Sequence, residues 1–199
     1  LDPFGTSVPT DYIRDVSEEA FLLWASVVPL NFVEVDDIGS QVFTGNTPEY
    51  LALDPASFGQ IRLSHRYING SDAQNGFPTL KAIAYPPSNG GPIAGDIHFD
   101  NGDPWAIIGS SSEPDILGIL IHELGHVLGL GHSPDPLSTM NSSAPRMMGP
   151  GTGWIDTDSI AGVQAIYGSG IGSVTPLPEP GTLALITAGG FGLLRRRRN

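Results

Sequence analysis

Eleven residues, HELGHVLGLGH from His122 to His132, constrain this chain more than any other stretch. On a helix, His122 and His126 fall one turn apart on one face, so both rings can reach a single metal ion. Glu123 sits beside the first of them and is free to serve as a base rather than a ligand. Gly129 tolerates the left-handed conformation that ends a helix. The chain can then turn back and deliver His132 as a third ligand. Three protein ligands leave the fourth tetrahedral position for water, the catalytic rather than the structural arrangement of zinc. The bland alternative is a buried helix that happens to carry histidines. It is weak, because five histidines serve 199 residues and three of them fall in this window.

A chain of this length is expected to form one main domain with a sizeable core. Its 26 glycines and 18 prolines point to long ordered loops. The formal charge is −12, and four of the nine basic residues are the consecutive arginines at 195–198, so the remainder is more acidic still. Such a body repels nucleic acid and offers oxygen ligands suited to calcium. There are no cysteines, which removes disulfides as staples and gives no reading of compartment. No N-terminal signal peptide is visible, and the chain starts at Leu1 rather than Met. The expectation is therefore an upstream segment removed or left out.

Local patterns predict an α+β domain. Residues 10–28 carry Ile13, Val16, Ala20, Phe21, Trp24 and Val28 at helical spacing, closed by Pro29. Residues 31–35, 60–67, 79–85 and 96–99 read as strands, and 86–95 as a loop. Ser112, followed by Glu113, Pro114 and Asp115, predicts the start of the helix that carries the histidines. Residues 133–153 are loop-like. A last helix is expected over 156–167, with Ile160, Val163, Ile166 and Tyr167 inward and Gly168 ending it.

Several of these segments together resemble a known family. Met140 stands eight residues after His132, in HSPDPLSTM, and Ser133 follows the third histidine directly. DTDSIAGVQAIYG (156–168) looks like a closing helix, AFLLWASVVPLNFVEV (20–35) like a first helix and strand, and GDIHFDNGDPW (95–105) like a calcium-binding turn. In this order, over residues 8 to 168, the chain is similar to the matrixin branch of the metzincin zinc peptidases. The resemblance implies a zincin-like fold: a twisted mixed sheet of about five strands, about three helices, and the active-site helix under the sheet. It implies zinc held by His122, His126 and His132, with Glu123 as general base, and Met140 as an apolar floor beneath the histidines.

The same resemblance suggests structural calcium at Asp96, Asp100 and Asp103, although Asp and Asn favour such turns in any case. It also offers His98 as a ligand of a second, structural zinc. Ile83 stands where another histidine is expected and His65 is only loosely placed, so that site is expected to be weakened or lost. After Met140 the family carries a proline and a tyrosine that line a specificity pocket. Here the run is Met140-Asn141-Ser142-Ser143-Ala144, so the pocket must be built differently, from Met147, Met148 or Trp154.

Past Gly168 the composition changes. Residues 169–180 read as a Gly, Ser and Pro linker, followed by Pro178-Glu179-Pro180, an apolar run at 183–194 and the four arginines. This is similar to the PEP-CTERM sorting tail of exported bacterial proteins. It implies export to the envelope or beyond, contact with the membrane through residues 181–199, recognition by an exosortase-type enzyme and loss of the tail. The apolar run is shorter than the ~20 residues of a spanning helix. The alternative is a C-terminal helix that docks on the domain.

The domain layout expected is a catalytic domain over 1–168, a linker over 169–180 and a sorting segment over 181–199, in a monomer. The function expected is a zinc endopeptidase acting on protein or peptide. The rivals are a non-catalytic extracellular matrix or binding protein on the same scaffold, and a zinc hydrolase of a non-protein substrate.

Overall fold

Residues 8–35, 60–68, 80–103, 105, 115–143 and 147–177 are described by the computed structural model. The first element is α1 (Thr10–Ala25), which buries Val16, Ala20 and Trp24 along one stripe. Their four-residue spacing stacks them on one face, as helical geometry requires. The helix stops three residues short of the span expected from spacing. Ser26 Oγ donates back to Leu23 O at 2.6 Å, and Pro29 cannot continue a helix.

Five strands and three helices are present among the described residues. β2 (Arg62–Arg66), β3 (Ala82–Ala84) and β4 (Asp96–Asp100) form a mixed sheet in the order β2-β4-β3. β2 runs parallel to β4 and β3 antiparallel to it. β1 (Asn31–Val33) pairs in parallel with β5 (Ser173–Thr175) as a separate two-stranded sheet. The expected five strands and three helices are thus present, with the strands divided between two sheets.

β4 is the central strand, and all five of its residues are buried. Ile97 and Phe99 join the core, whereas Asp96, His98 and Asp100 occupy the other face. That second face is polar, and it stays buried because its groups are paired. Asp96 receives two bonds from Arg62, at 3.0 and 2.6 Å.

α2 (Ile116–Val127) carries the first two histidines and packs on β3, β4 and α1. Ile116, Leu117, Leu120, Ile121, Leu124 and Val127 are all buried. A helix apolar all round belongs in the interior, and each such side chain contributes roughly 1.5–3 kcal/mol on burial. Its N-cap is Asp115, whose carboxylate accepts from Leu117 N at 3.2 Å and Gly118 N at 3.3 Å. The expected cap, Ser112, lies outside the described residues, as do Glu113 and Pro114. Asp115 fills the role because its Oδ2 also holds Met147 N at 2.8 Å, a tie from 32 residues away.

α3 (Thr157–Tyr167) is capped by Asp156 and ended at Gly168, with φ 81°. Val163 is its deepest apolar residue, while Ile166 is 51% exposed, contrary to its expected inward position. The helix lies over the α2 terminus, so Ile166 covers the turn at Gly129 with only its Cδ1 end. Residues 169–177, expected as linker, contain β5. The rest of the expected tail, 178–199, lies outside the described residues. No helix among the described residues is long and apolar enough to cross a membrane.

Candidate metal centre

α2 sets the first two rings. His122 and His126 stand four residues apart on it, with ring centroids 4.6 Å apart. The helix ends at Val127, and Gly129 takes φ 96°, a conformation glycine adopts without penalty. Its amide returns to His126 O at 2.9 Å, and Leu130 N reaches Gly125 O at 2.9 Å. This reversal brings His132 to 5.3 Å from the His122 ring and 4.7 Å from the His126 ring. One ligand atom from each of the three lies within 4.8 Å of the others. No other trio of His, Cys, Asp or Glu among the described residues is placed to hold a metal.

The hydrogen bonds orient the rings for a cation. His122 Nδ1 lies 2.8 Å from Thr139 O, and His126 Nδ1 lies 2.8 Å from Leu130 O. A carbonyl only accepts, so each Nδ1 is assigned the proton and each Nε2 a lone pair. Those two Nε2 atoms face each other at 3.0 Å. Two lone pairs so placed need a positive centre between them, and the donor set suits zinc. Burial supports the neutral state. It pushes the His122 imidazole down to about 4, against the opposing pull of Thr139 O, and lowers His126 in the same way. Metal binding requires that neutral form.

Glu123 is 7% exposed beside this cluster. Burial pushes its carboxyl up to about 7, with the Ala84 amide acting in the opposite direction. A carboxyl tuned to that range can both take and return a proton near neutrality.

Met140 packs against Gly125, which lies between His122 and His126 on α2. Ser133 N donates to Met140 O at 2.8 Å, and Asn141 Nδ2 donates to Ser133 O at 3.2 Å. The loop between them is thereby closed, and Met140 is 2% exposed. Its Sδ and Cε lie against Gly125, where any Cβ would overlap them, and Trp24 Cζ2 packs from the side. Trp24 is itself fixed by Nε1 donating to Ile121 O at 3.1 Å.

A second layer was not foreseen from the sequence. Thr139, whose carbonyl holds His122, is gripped by Asp156: Oδ2 accepts from Thr139 N and from Thr139 Oγ1. The same carboxylate takes Ser138 Oγ at 3.1 Å and Ser159 Oγ at 2.6 Å. Burial pushes Asp156 up, but the bonds from Ser159 and Thr139 outweigh it and hold the carboxyl well below the usual range. From the sequence Asp156 only opens the closing helix; its link to Ser138 and Thr139 is long-range.

The remaining expected ligands do not assemble. Asp96 pairs with Arg62, Asp103 with Lys81 Nζ at 2.8 Å, and Asp100 Oδ1 accepts from Gly102 N at 2.8 Å. These three carboxylates form no metal-competent group. His98 Nδ1 contacts Ser64 Oγ, and its ring meets Tyr85 edge-on at 5.4 Å. Burial lowers His98 to about 4, helped by Arg66 and Arg62 and opposed by Asp96. Its antiparallel neighbour is Ile83, and His65 pairs with Phe99, which puts His65 and His98 on opposite faces of the sheet. Among the expected pocket residues, Met147 is a core side chain at 1% exposure, whereas Met148 and Trp154 are exposed at 60% and 40%.

Comparison with known proteins agrees with this geometry. The Matrixin family profile matches residues 2–168, and a PEP-CTERM protein-sorting motif matches residues 176–198. Human matrix metalloproteinase-16 is 34% identical over 158 residues, which is 78% of this chain and 24% of that protein. Arabidopsis thaliana metalloendoproteinase 4-MMP is 32% identical over 166 residues, 81% of this chain and 41% of that protein. Rabbit (Oryctolagus cuniculus) interstitial collagenase is 34% identical over 156 residues, 78% and 28% respectively. The chain thus spans less than half the length of these relatives. The sorting motif marks it as exported and targeted to the cell envelope. With the family profile covering most of its length and the three histidines converging, the chain belongs to the matrixin family.

Proposed function

We propose that this chain is a zinc-dependent endopeptidase in which His122, His126 and His132 hold the metal and Glu123 is the general base. The observation that carries it is the convergence of three imidazoles, two of them bonded to carbonyls through Nδ1, beside a buried carboxyl raised to about 7. When bound, zinc supplies Lewis acidity, lowering the pKa of a coordinated water to about 7 and polarising a carbonyl. Thr139 O and Leu130 O hold the first two rings in their ligating tautomer. Met140, Gly125 and Trp24 close the floor and exclude solvent below them. Glu123 takes the proton of the attacking water on its carboxylate and delivers it to the leaving amine. β3 is an edge of the described sheet, and Ala84 at its end bonds Glu123. An extended peptide can therefore pair along that edge and pass the base.

The test is Glu123→Gln with a quenched-peptide library and a zinc assay. The expected result is full zinc content with turnover reduced by about 10²–10⁴-fold. Full turnover in that variant sinks the base assignment. Zinc-loaded parent protein that cleaves no peptide favours the non-catalytic scaffold or a non-protein substrate.

Structural calcium at Asp96, Asp100 and Asp103 belongs to the same family-based reading, and it requires Arg62 and Lys81 to release two of the carboxylates. A rise in Tm on calcium titration supports it, and an unchanged Tm refutes it. Residues 181–199 act as a membrane-seeking sorting segment that an exosortase-type enzyme removes; comparing culture medium with membrane fraction reads that step.

A further inference from the structure

The matrixin match ends at residue 168 and the sorting match begins at 176, leaving the stretch between them without a role. We propose that residues 169–177 are a strap belonging to the folded peptidase unit, and that tail processing cuts after Leu177 or later, leaving the strap in place. The proposal rests on the reading that the tail is processed.

The strap is built into the domain along its length. Gly172 N donates to Ala25 O at 2.7 Å, Ser173 N to Leu30 O at 3.1 Å, and Glu34 N to Thr175 O at 2.9 Å. Asn31, Phe32 and Val33 pair in register with Ser173, Val174 and Thr175. Ser173 Oγ donates to Asn31 Oδ1 at 2.9 Å. The glycines that suggested a linker are places of close approach. A Cβ on Gly172 would overlap Leu30 O, and one on Gly170 would sit 3.1 Å from Pro29.

Leu177, the residue before Pro178, is held as well. Leu177 N donates to Glu34 Oε2 at 2.7 Å, and Leu177 O accepts from Arg14 Nη2 at 2.8 Å. Arg14 and Glu34 lie 3.4 Å apart as an ion pair. Both main-chain groups of Leu177 are thus engaged by side chains from α1 and from the end of β1. A processing enzyme holds its substrate extended, using main-chain groups that must be free to pair with it. Gly172, Ser173, Thr175 and Leu177 each have main-chain groups so engaged, which keeps the segment up to Leu177 from being drawn out along an enzyme. The amide bond broken therefore lies after Leu177: its acyl carbon takes the oxygen of water as the new carboxylate, and the released segment keeps the nitrogen as its new amine.

Expression of the full chain in an exporting host that contains an exosortase-type enzyme, followed by intact mass, reads the cut. A last residue at 177 or later is expected, and a last residue at 176 or earlier overturns the proposal. Hydrogen exchange on the uncut full chain gives a second readout. The amides of Gly172, Ser173 and Leu177 are expected to exchange at least about a hundredfold slower than in an unfolded chain. Glu34→Ala and Arg14→Ala are expected to release Leu177 while Gly172 stays protected. A chain that remains uncut counts against the sorting reading alone. Exchange then decides the strap: protection upholds it, and unfolded-like rates at all three amides overturn it.

Discussion

Asp156 holds Thr139 twice, its Oδ2 accepting from the Thr139 amide at 2.7 Å and from the Thr139 hydroxyl at 2.6 Å. Thr139 in turn presents its carbonyl to His122 Nδ1 at 2.8 Å. The cap of one helix thereby fixes the ring orientation of a ligand on another. Groups that orient metal-bound histidines typically change affinity by about 10–100-fold when removed. Asp156→Ala is expected to weaken zinc binding by roughly tenfold in a chelator competition, with an altered cobalt(II) visible spectrum. Val163→Ala serves as the control, since it destabilises α3 without touching Thr139. Equal zinc affinity in the two variants would refute the link.

Acid should expose the same carboxylate. Asp156 titrates below the ~3.9 of an unfolded aspartate, because its hydrogen bonds outweigh its burial. A depressed folded value means the stabilisation is complete above about pH 4 and is lost as the pH falls toward the folded value. Urea melts of the parent and Asp156→Asn are expected to differ at pH 6 and to converge toward pH 3. A constant difference across that range would contradict the assignment.

Gly125 is the second test of the floor. Alanine normally improves a helix over glycine by about 1 kcal/mol. Here the added methyl would overlap Met140 Sδ and crowd Trp24 Cζ2. Gly125→Ala is expected to lose about 1–3 kcal/mol, the usual cost of overpacking. The double change with Met140→Ala should recover part of that loss in chemical denaturation. Simple additivity of the two would show that they do not meet.

The Arg62–Asp96 pair makes a fourth case. Asp96 is 2% exposed, so removing Arg62 takes two hydrogen bonds from a buried carboxylate. Arg62→Met is expected to cost about 3 kcal/mol, and Arg62→Met with Asp96→Asn clearly less. A double-mutant cycle with no coupling would sink this account.

How much was legible from sequence follows the range of each interaction. The histidine cluster could be read because four-residue spacing and one glycine turn are local properties of the chain. His98 and Ile83 could be read as neighbours only by family resemblance, and strand register then put them side by side. Ser112 and Asp115 are equally good caps by type. What singles out Asp115 is Met147, 32 residues on. Asp156 was legible only as the start of the closing helix and not as a clamp, since Ser138 and Thr139 reach it from another loop. β5 was hidden most deeply: Ser173, Val174 and Thr175 are too few to show a period, and their glycine-rich approach resembles a linker.

The pairing of β5 with β1 also orders events in time. Ser173 and Asn31 are 142 positions apart, and contacts of such separation close late because nearly the whole loop must be gathered first. A chain that crosses a membrane amino end first would deliver β1 long before its partner. Until residue 177 has emerged, the carbonyls of Ala25 and Leu30 and the amide of Glu34, which the strap later engages, stay open to water. Folding to completion would thus coincide with the arrival of the sorting segment at the translocation channel.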